Sequence, residues 1–545
     1  MGKRLGSPFK MILRFGAVVA LARLLRDHHS ETSPLTNPKR SRCVVLKRVP
    51  PGVAAAALAA LLAFAGTAGA MSPEPALRLV SVTDSADVVR YGPDEPAFGQ
   101  VPVWVVAPVG APFELRVARA ALGKPIGVTR IVHGPRGPAA VRLPADVAAG
   151  FIPGGIAGFL TLTVRDAAGA VVLARTTNFC PVSRSRFDPA SPDAPVYPDA
   201  CGGFEGGNPF TLGQVWGIEG GWGASALGFD GGTFEIPDGS YTATIAIAPR
   251  HRELFAIPAD AAEASFTLRV RTEVLEEPPP GPGPTPGPPP HEMPTMVAGL
   301  REAAPPPAAP PSEPPLDEPA MDTRPDLIAL PAWGIMTAVD EAGRDTVQFA
   351  ATVWNAGPAP LSADGFRIPG QDLMDAYQNF FRDDVRVGHR RVGTFEYDIR
   401  PGHEHWHFTD FARYSLLDAE GHEVLRSGKE AFCLAATDAE DLTVPGADWR
   451  PDAIGFSECG TRGSLSLREV LPVGWGDTYV QSLPGQSFDI TDLPNGTYLV
   501  EVVANPVGRL VETTRDNNRA LREITIGGAP GARTVVATPY LGIAG

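Results

Sequence analysis

The sequence predicts an all-β protein made of two β-sandwich-like domains that are joined by a proline-rich linker. Segments rich in β-branched and aromatic residues, such as Phe266–Val270 and Tyr498–Val503, have the composition of strands in both halves of the chain. Near them stand the dipeptides Asp238-Gly239 and Asn495-Gly496, which favour the positive φ angles of hairpin turns. Strands separated by such turns are typical of sandwich folds.

One window departs from this pattern. Between Gln371 and Asp384, the apolar residues Leu373, Tyr377 and Phe381 recur at helical spacing. The spacing predicts a single packed helix in this window, without a chemical role.

Residues 276–322 divide the chain, because they consist mostly of Pro, Ala, Gly and Glu. Such a segment has too little apolar mass to fold and favours extended polyproline geometry. We therefore predict a first domain at 75–275, a linker at 276–322, a second domain at 323–530 and a tail at 531–545.

The two halves share a pattern that predicts a degenerate internal duplication. Each half has a Phe-Cys pair after two strand-like segments, Phe179-Cys180 in the first and Phe432-Cys433 in the second. Each also has a later Trp-Gly pair, Trp222-Gly223 or Trp475-Gly476. Convergence of two β-rich, glycine-punctuated sequences is the alternative.

The amino terminus has the features of a secretory signal. Residues 1–70 contain the basic pair Lys47-Arg48, the apolar run Val53–Ala65 and the small-residue exit Ala68-Gly69-Ala70, so cleavage is expected after Ala70. A membrane anchor is the alternative, although the run is short for a span. We therefore expect the protein to be secreted or held at the cell surface, with no membrane span in the mature chain.

Charge excludes one class of partner. The whole chain carries −14, but residues 1–70 carry +9, so the remainder carries −23. So acidic a surface argues against nucleic acid and favours cationic partners.

The cysteines predict two disulfides. Cys43 lies in the region expected to be removed, and the other four fall into two local pairs, Cys180–Cys201 and Cys433–Cys459. An even number of cysteines in an exported chain is typical of disulfides, and four buried thiols are the alternative.

Three of the ten histidines alternate at His403, His405 and His407. Alternate residues of a strand share one face, and three imidazoles on one face suit copper or zinc. A triplet without an acidic ligand leaves coordination positions open, which is usual for catalytic metals. A solvated strand that binds metal adventitiously is the alternative. The matching segment of the first half, aligned as Pro153–Phe159, has no histidine, so the first domain is expected to lack this chemistry.

From Arg324 to about Ile526 the chain resembles the lysyl oxidase family. The similarity rests on an ordered set of motifs, namely GHEHWHFTDFARYSLLD (402–418), GKEAFCL (428–434), GDTY (476–479), FDITD (488–492) and the segment from Glu512 to Asn518. The resemblance implies a copper-dependent amine oxidase that converts primary amines to aldehydes with O₂, releasing H₂O₂ and ammonia.

The resemblance also implies the roles of particular residues. His403, His405 and His407 match the copper ligands, whereas Lys429 and Tyr479 match the residues that form the self-derived cofactor lysyl tyrosylquinone. In the first half, Thr176 and Ala226 stand in their places. Asp477, two residues before Tyr479, is a candidate for the base that removes a substrate proton.

A second metal is also implied. The positions that match a calcium site in animal relatives are Asp326, Leu327, Glu512, Thr514, Asn517 and Asn518. Most offer the oxygen donors that Ca²⁺ prefers, but Thr514 replaces an acidic residue. A turn capped by the two asparagines is the alternative.

The leading hypothesis is therefore a secreted amine oxidase acting on peptidyl-lysine or small amines. The main alternative is a non-enzymatic extracellular module that binds copper or another ligand, and a zinc hydrolase that uses the same histidines is a third reading. The first domain is expected to be a spacer or to bind a cell-wall or matrix ligand.

Overall fold

The computed structural model describes residues 76–92, 95–151, 154–202, 208–228, 232–273, 308–382, 385–400, 404–429, 431–451 and 459–543. The predicted signal region, most of the predicted linker and His403 lie outside the described residues. Residues 73–545 form one compact unit.

Strands dominate the described residues of both halves, which confirms the predicted all-β fold. The first half contains β1 (Arg78–Ser81), β2 (Ser85–Arg90), β3 (Ala97–Phe98), β4 (Val103–Val106), β5 (Phe113–Ala118), β6 (Gly127–Gly134), β7 (Gly137–Leu143), β8 (Ile156–Arg165), β9 (Val171–Phe179), β10 (Ser185–Arg186), β11 (Gly213–Ile218), β12 (Trp222–Ser225), β13 (Thr233–Phe234), β14 (Gly239–Ile247), α1 (Pro249–Phe255) and β15 (Glu263–Thr272).

The second half continues the all-β pattern. It contains β16 (Leu327–Ala329), β17 (Trp333–Val339), β18 (Asp345–Asn355), β19 (Leu361–Arg367), β20 (Leu373–Arg382), β21 (Val385–Tyr397), β22 (Trp406–Thr409), β23 (Ala412–Leu417), β24 (Glu423–Arg426), β25 (Ala431–Phe432), β26 (Asp438–Ala439), β27 (Ser466–Leu471), β28 (Trp475–Tyr479), β29 (Ser487–Asp489), β30 (Gly496–Ala504), β31 (Arg519–Ala529) and β32 (Ala532–Ala537). Short 3-10 turns lie at Ala145–Val147, Ala259–Ala261 and Met321–Thr323.

The sheets of the two halves share their strand orders. The order β1-β4-β12-β10 corresponds to β16-β18-β28-β26, and β11-β5-β6-β7 corresponds to β27-β19-β20-β21. The order β9-β8-β14-β15 likewise corresponds to β24-β23-β30-β31. This is the arrangement that an internal duplication predicts.

The corresponding hairpins of the two halves also share their turn chemistry. The Oδ1 atoms of Asp166 and Asp418 each accept hydrogen bonds from the main-chain N–H groups two and four residues later, over distances of 2.8–3.1 Å. An aspartate that accepts two main-chain N–H groups in this way stabilises its own turn locally.

The helix predicted between Gln371 and Asp384 is wrong, because the structure places β20 there. Met374 and Ala376 are buried while Leu373, Asp375 and Tyr377 are less so, which is the period of a strand. The strand pairs with β19 on one side and β21 on the other. Hydrogen bonding to both neighbouring strands outweighs the local spacing of apolar residues, which is compatible with a helix as well as with a strand.

Both predicted disulfides are present, Cys180–Cys201 and Cys433–Cys459. The last part of the predicted linker also makes contacts with the second half. The main-chain N–H of Leu316 donates to the carbonyl of His389 on β21 at 2.9 Å. Among the described residues, no helix has the length and apolarity that crossing a membrane requires.

Candidate functional site

Lys429 lies where a hairpin of the second half departs from the corresponding hairpin of the first half. In the first half β9 runs unbroken over nine residues, whereas in the second half the chain leaves the ladder between β24 and β25. Ser427 holds this interruption, because its hydroxyl accepts the Lys429 N–H at 3.1 Å and donates to the Gly485 carbonyl. Gly485 has a φ of +87°, and a Cβ there would lie 3.0 Å from that of Lys429. Glycine thus lets the two segments close around the lysine.

The Lys429 side chain is buried against two aromatic rings. Its Nζ lies 4.5 Å from the centroid of the Tyr479 ring and 5.4 Å from that of Phe432. Only 1% of the residue is exposed, and within the described part of the chain Nζ has no hydrogen-bond partner. The amine is therefore dehydrated next to an aromatic face.

Burial lowers the pKa of Lys429 to about 8, and the charge of Arg400 acts in the same direction. The carboxylates of Asp477, Asp398 and Glu396 oppose this shift only in part. A substantial fraction of the amine is therefore neutral, and nucleophilic, at mildly alkaline pH.

Tyr479 ends β28 inside the core of the second half. Its hydroxyl accepts the Cys433 N–H at 3.0 Å and donates to the Cys433 carbonyl at 3.2 Å. Phe432 packs edge-on against the ring, with centroids 4.9 Å apart. Burial and the nearby Asp477 raise the pKa of the Tyr479 phenol well above its usual range. These contacts hold the ring in one orientation, and the raised pKa favours the protonated form of the phenol.

Two carboxyl groups lie close to this ring. Asp477 precedes Tyr479 by two residues on β28, so both side chains leave the same face of the strand. Glu469, which the sequence analysis missed, accepts the Leu434 N–H at 2.9 Å. Burial raises the pKa of both carboxyls well above the usual range, and Lys429 opposes this for Asp477.

Glu469 also lies beside a disulfide. Ligand atoms of Cys433, Cys459 and Glu469 fall within 4.8 Å of one another. Because the two sulfurs are bonded to each other, this group does not provide thiolate ligands for a metal.

The described histidines of the triplet converge. The Nε2 atoms of His405 and His407 are 2.9 Å apart, and the ring centroids are separated by 4.6 Å at an interplanar angle of 87°. The strand is anchored on both sides, since the Trp406 N–H donates to the Cys459 carbonyl at 2.9 Å and the His405 carbonyl accepts the Asp398 N–H at 3.0 Å. Two imidazole nitrogens thus point at one small region.

Asp398 and Arg400, which the sequence analysis missed, orient this pair. The Asp398 Oδ2 atom is 3.5 Å from His407 Nδ1, and the Arg400 Nε donates to both Asp398 oxygens at 2.9 Å. Burial acts to raise the pKa of Asp398, but the Arg400 hydrogen bonds outweigh it and lower the pKa to about 2. The carboxylate therefore stays ionised behind the imidazole, an arrangement common among metal-ligating histidines.

Glu396 was also missed, and it links the two parts of the site. It is the cross-strand partner of His407, so its side chain leaves the same face of the sheet. Burial and the charge of Asp398 raise its pKa. The charges of Asp398 and Glu396 oppose the lowering of the Lys429 pKa, so the carboxylates beside the imidazole pair also act on the lysine.

Most residues of the predicted calcium site come together. Glu512 Oε2 accepts the Leu327 N–H at 3.1 Å, and Glu512 Oε1 accepts the Asn518 amide at 2.9 Å. The Asn517 amide donates to Asp326 Oδ2 at 3.1 Å. Within the described residues, the remaining oxygens of Asp326, Asn517 and Asn518 are buried without a hydrogen-bond donor. Buried, unsatisfied oxygens are costly unless a cation occupies the space between them.

Thr514 differs from the other members of this set. Its hydroxyl accepts the Asp516 N–H at 3.2 Å within an exposed turn. In the described part of the chain, Thr514 makes no hydrogen bond to the other five residues.

The structure corrects the alignment of the first half with the histidine triplet. Ile156 pairs with Phe179 as Phe408 pairs with Phe432, which puts Gly155, rather than Phe159, in the place of His407. A Cβ at Gly155 would lie 2.6 Å from the Phe179 carbonyl, so the first half has no room for a side chain there. Thr176, in the place of Lys429, continues the regular ladder of β9.

The second half is thus an all-β domain that contains a buried Lys–Tyr pair and a pair of converging imidazoles. Residues 388–532 match the family model described as Lysyl oxidase. This segment includes His405, His407, Lys429 and Tyr479.

Curated relatives agree with this assignment. The chain is 34% identical over 142 residues to lysyl oxidase homolog 4 of Mus musculus, covering 26% of this chain and 16% of the relative. It is 33% identical over 141 residues to lysyl oxidase homolog 3B of Danio rerio, covering 26% and 15%. Over 117 residues it is 33% identical to lysyl oxidase homolog 2 of Gallus gallus, covering 21% and 13%. The chain thus spans less than one-fifth of the length of these relatives.

The buried amine predicts a pH-dependent stability. The folded-state pKa of Lys429 is about 8 against 10.5 when unfolded, so below pH 8 its burial costs ~3 kcal/mol, and this cost disappears as pH rises to 10.5. In protein prepared without added metal, Lys429→Met should therefore raise the free energy of unfolding most at pH 7 and progressively less towards pH 10.5. Urea unfolding at several pH values measures this difference.

Lys124→Met is the matched control, because Lys124 is exposed. It should change the free energy of unfolding little at any pH. A gain from Lys429→Met that does not vary between pH 7 and 10.5 would contradict the assignment of a depressed pKa.

Proposed function

We propose that this chain is an exported copper- and quinone-dependent amine oxidase, which converts a primary amine, O₂ and water into an aldehyde, H₂O₂ and ammonia. The observation that carries the proposal is the approach of the Lys429 amine to within 4.5 Å of the centroid of the Tyr479 ring, away from water. A lysine in such a place is costly for a structural role alone. Peptidyl-lysine and small amines are the substrate classes we consider.

The pair fits the precursor of lysyl tyrosylquinone. Once formed, this cofactor supplies an electrophilic carbonyl that accepts two electrons from a primary amine and passes them to O₂. The chain supplies the rest. The Cys433 main chain fixes the phenol through two hydrogen bonds, and Phe432 fixes the plane of the ring. A lowered pKa makes the Lys429 amine available as a nucleophile.

The imidazoles fit a copper site. The Nε2 atoms of His405 and His407 already approach each other, and His403 would complete the set of three nitrogen donors suited to copper. Copper would polarise the Tyr479 phenol, whose pKa burial raises, during formation of the cofactor. Asp398 would hold His407 in the tautomer that presents Nε2 to the metal.

Asp477 is the residue we propose as the base. It lies on the same face of β28 as Tyr479, and its pKa is raised by burial, so it can take a proton from a neutral carbon acid more effectively than an exposed carboxylate. Before the cofactor forms, the Lys429 charge opposes that shift in part.

Cofactor formation should join residues 429 and 479 covalently. After expression with added Cu²⁺, mass spectrometry of a proteolytic digest should detect a peptide pair linked through these two residues, and amine-dependent H₂O₂ release should accompany it. Lys429→Arg and Tyr479→Phe should each abolish both signals, because each removes one reacting atom.

Tyr414→Phe is the matched control, since Tyr414 is a second tyrosine buried against Phe432. It should retain the linked peptide. Asp477→Asn should also retain the link but lose about 10²–10⁴-fold in kcat, the usual contribution of a general base. Copper-loaded protein that forms no link would instead favour the non-enzymatic copper-binding module.

Removing the Asp398 carboxylate should weaken metal binding. Asp398→Asn is expected to lower the affinity for Cu²⁺ by about 10–100-fold, because His407 loses the group that orients it. A competition titration with a copper chelator measures this change. Asp375→Asn, which removes an ion-paired carboxylate from neighbouring β20, should have no such effect. Equal affinities for all three proteins would contradict the proposed site.

We also propose a structural Ca²⁺ held by Asp326, Glu512, Asn517 and Asn518, with main-chain oxygen from Leu327. The unsatisfied buried oxygens support it. At a Ca²⁺ concentration 100-fold above its Kd, the ion should add about 2.7 kcal/mol to the free energy of unfolding. Asp326→Asn should shift the Ca²⁺ dependence to higher concentration, whereas Asp317→Asn, at an exposed position, should not. Thermal unfolding that does not respond to Ca²⁺ would refute the site.

A further inference from the structure

The first half of the chain packs against the strand that carries Tyr479. Its β11 segment forms main-chain hydrogen bonds with the chain around β26, because the N–H groups of Leu212 and Gly213 donate to the Glu440 carbonyl at 2.7 and 3.2 Å. The Leu442 N–H in turn donates to the Gly213 carbonyl at 2.9 Å. Beside these bonds, Tyr197 stacks on Trp449 with ring centroids 5.7 Å apart. The contact is specific in both its backbone and its side chains.

Asn208 is the polar centre of this contact. Only 1% of the residue is exposed, and its Nδ2 donates to Thr352 Oγ1 at 2.9 Å and to Glu440 Oε1. Its Oδ1 accepts the Phe210 N–H at 2.9 Å, which fixes the amide orientation. Both donors of one amide are thus directed from the first half into the second.

The hydrogen bonds continue from Asn208 to β28. Thr352 Oγ1 and Thr478 Oγ1 are 2.7 Å apart and belong to cross-strand partners on β18 and β28. Since the Asn208 Nδ2 can only donate, the hydroxyl proton of Thr352 is free to turn towards Thr478.

Alternation along β28 connects this chain to the candidate site. Thr478 stands between Asp477 and Tyr479, and successive side chains of a strand leave opposite faces. Thr478 is linked through Thr352 to Asn208 of the first half, and the face with Asp477 and Tyr479 lines the candidate site. A shift of β28 at Thr478 therefore moves both neighbours.

We propose that the first half is a built-in support for β28, and that Asn208 is a positioning residue that sets Tyr479 and Asp477 relative to Lys429. The consequence for catalysis rests on the proposed function, whereas the effect on β28 does not. The proposal assigns the first half a task that needs no ligand of its own.

Hydrogen exchange in the full chain tests the support directly. In Asn208→Ala, the hydroxyl of Thr352 and the carboxyl of Glu440 lose their partner, so amides of 475–479 should exchange about tenfold faster by mass spectrometry. Asn208→Asp keeps the size and the Oδ1 acceptor but loses the donor, and should give the same local change if Asn208→Ala does not fold.

Asn178→Ala is the matched control, because Asn178 caps the Gly158 N–H within the first half. It should leave the exchange of 475–479 unchanged. The proposal would be overturned if the amides of 475–479 exchanged at the wild-type rate in Asn208→Asp, or in both Asn208 variants.

Activity measurements separate this proposal from the proposed function. In copper-loaded protein, the Asn208 variants should form the 429–479 link about tenfold more slowly and lower kcat while leaving KM and copper content unchanged. A uniform loss of stability would not lower kcat and the rate of link formation while leaving KM and copper content unchanged. If the wild type itself forms no link, the proposed function fails, and the exchange of 475–479 still decides whether the first half supports β28.

Discussion

The dehydrated contact between the Lys429 amine and the Tyr479 ring is the constraint on which the rest of the second half depends. An unpaired lysine at 1% exposure is destabilising, and its lowered pKa records that cost. Contacts on both sides of the lysine and the tyrosine hold the pair in place despite this cost. Ser427 and Gly485 close the loop on the lysine, and the Cys433 main chain fixes the tyrosine. A displacement of either Lys429 or Tyr479 would break the contact between them.

The corresponding hairpins of the two halves differ at the positions that matter for the site. In the first half β9 is continuous and Gly155 leaves no space for a side chain, so the hairpin carries no functional group. In the second half the ladder is interrupted between β24 and β25, and the interruption turns Lys429 inward. The hydrogen bonds given up by the strand are replaced locally by Ser427.

Much of this could be predicted from sequence, for physical reasons that also explain the failures. Cysteine pairing and the alternation of His405 and His407 are short-range patterns, so they can be recognised from the sequence before the fold is known. The residues that were missed act across the fold. Asp398 meets His407 through loop geometry, and Asn208 reaches Thr352 across 144 positions. The apolar residues of 371–384 fit both the period of a helix and the period of a strand. The pairing of β20 with β19 and β21 decides in favour of the strand.

Four buried carboxyls lie around β26–β28, and the first half covers one of them. Burial raises the pKa of Asp438, Glu440, Glu469 and Asp477. Glu440 is buried where the first half covers it and Asn208 bonds to it. This cover keeps water from Glu440, and desolvation favours the neutral form of a carboxyl. The first half thus contributes to the low-dielectric surroundings of β26, the neighbour of the strand that holds Tyr479, and this complements the hydrogen bonds made by Asn208.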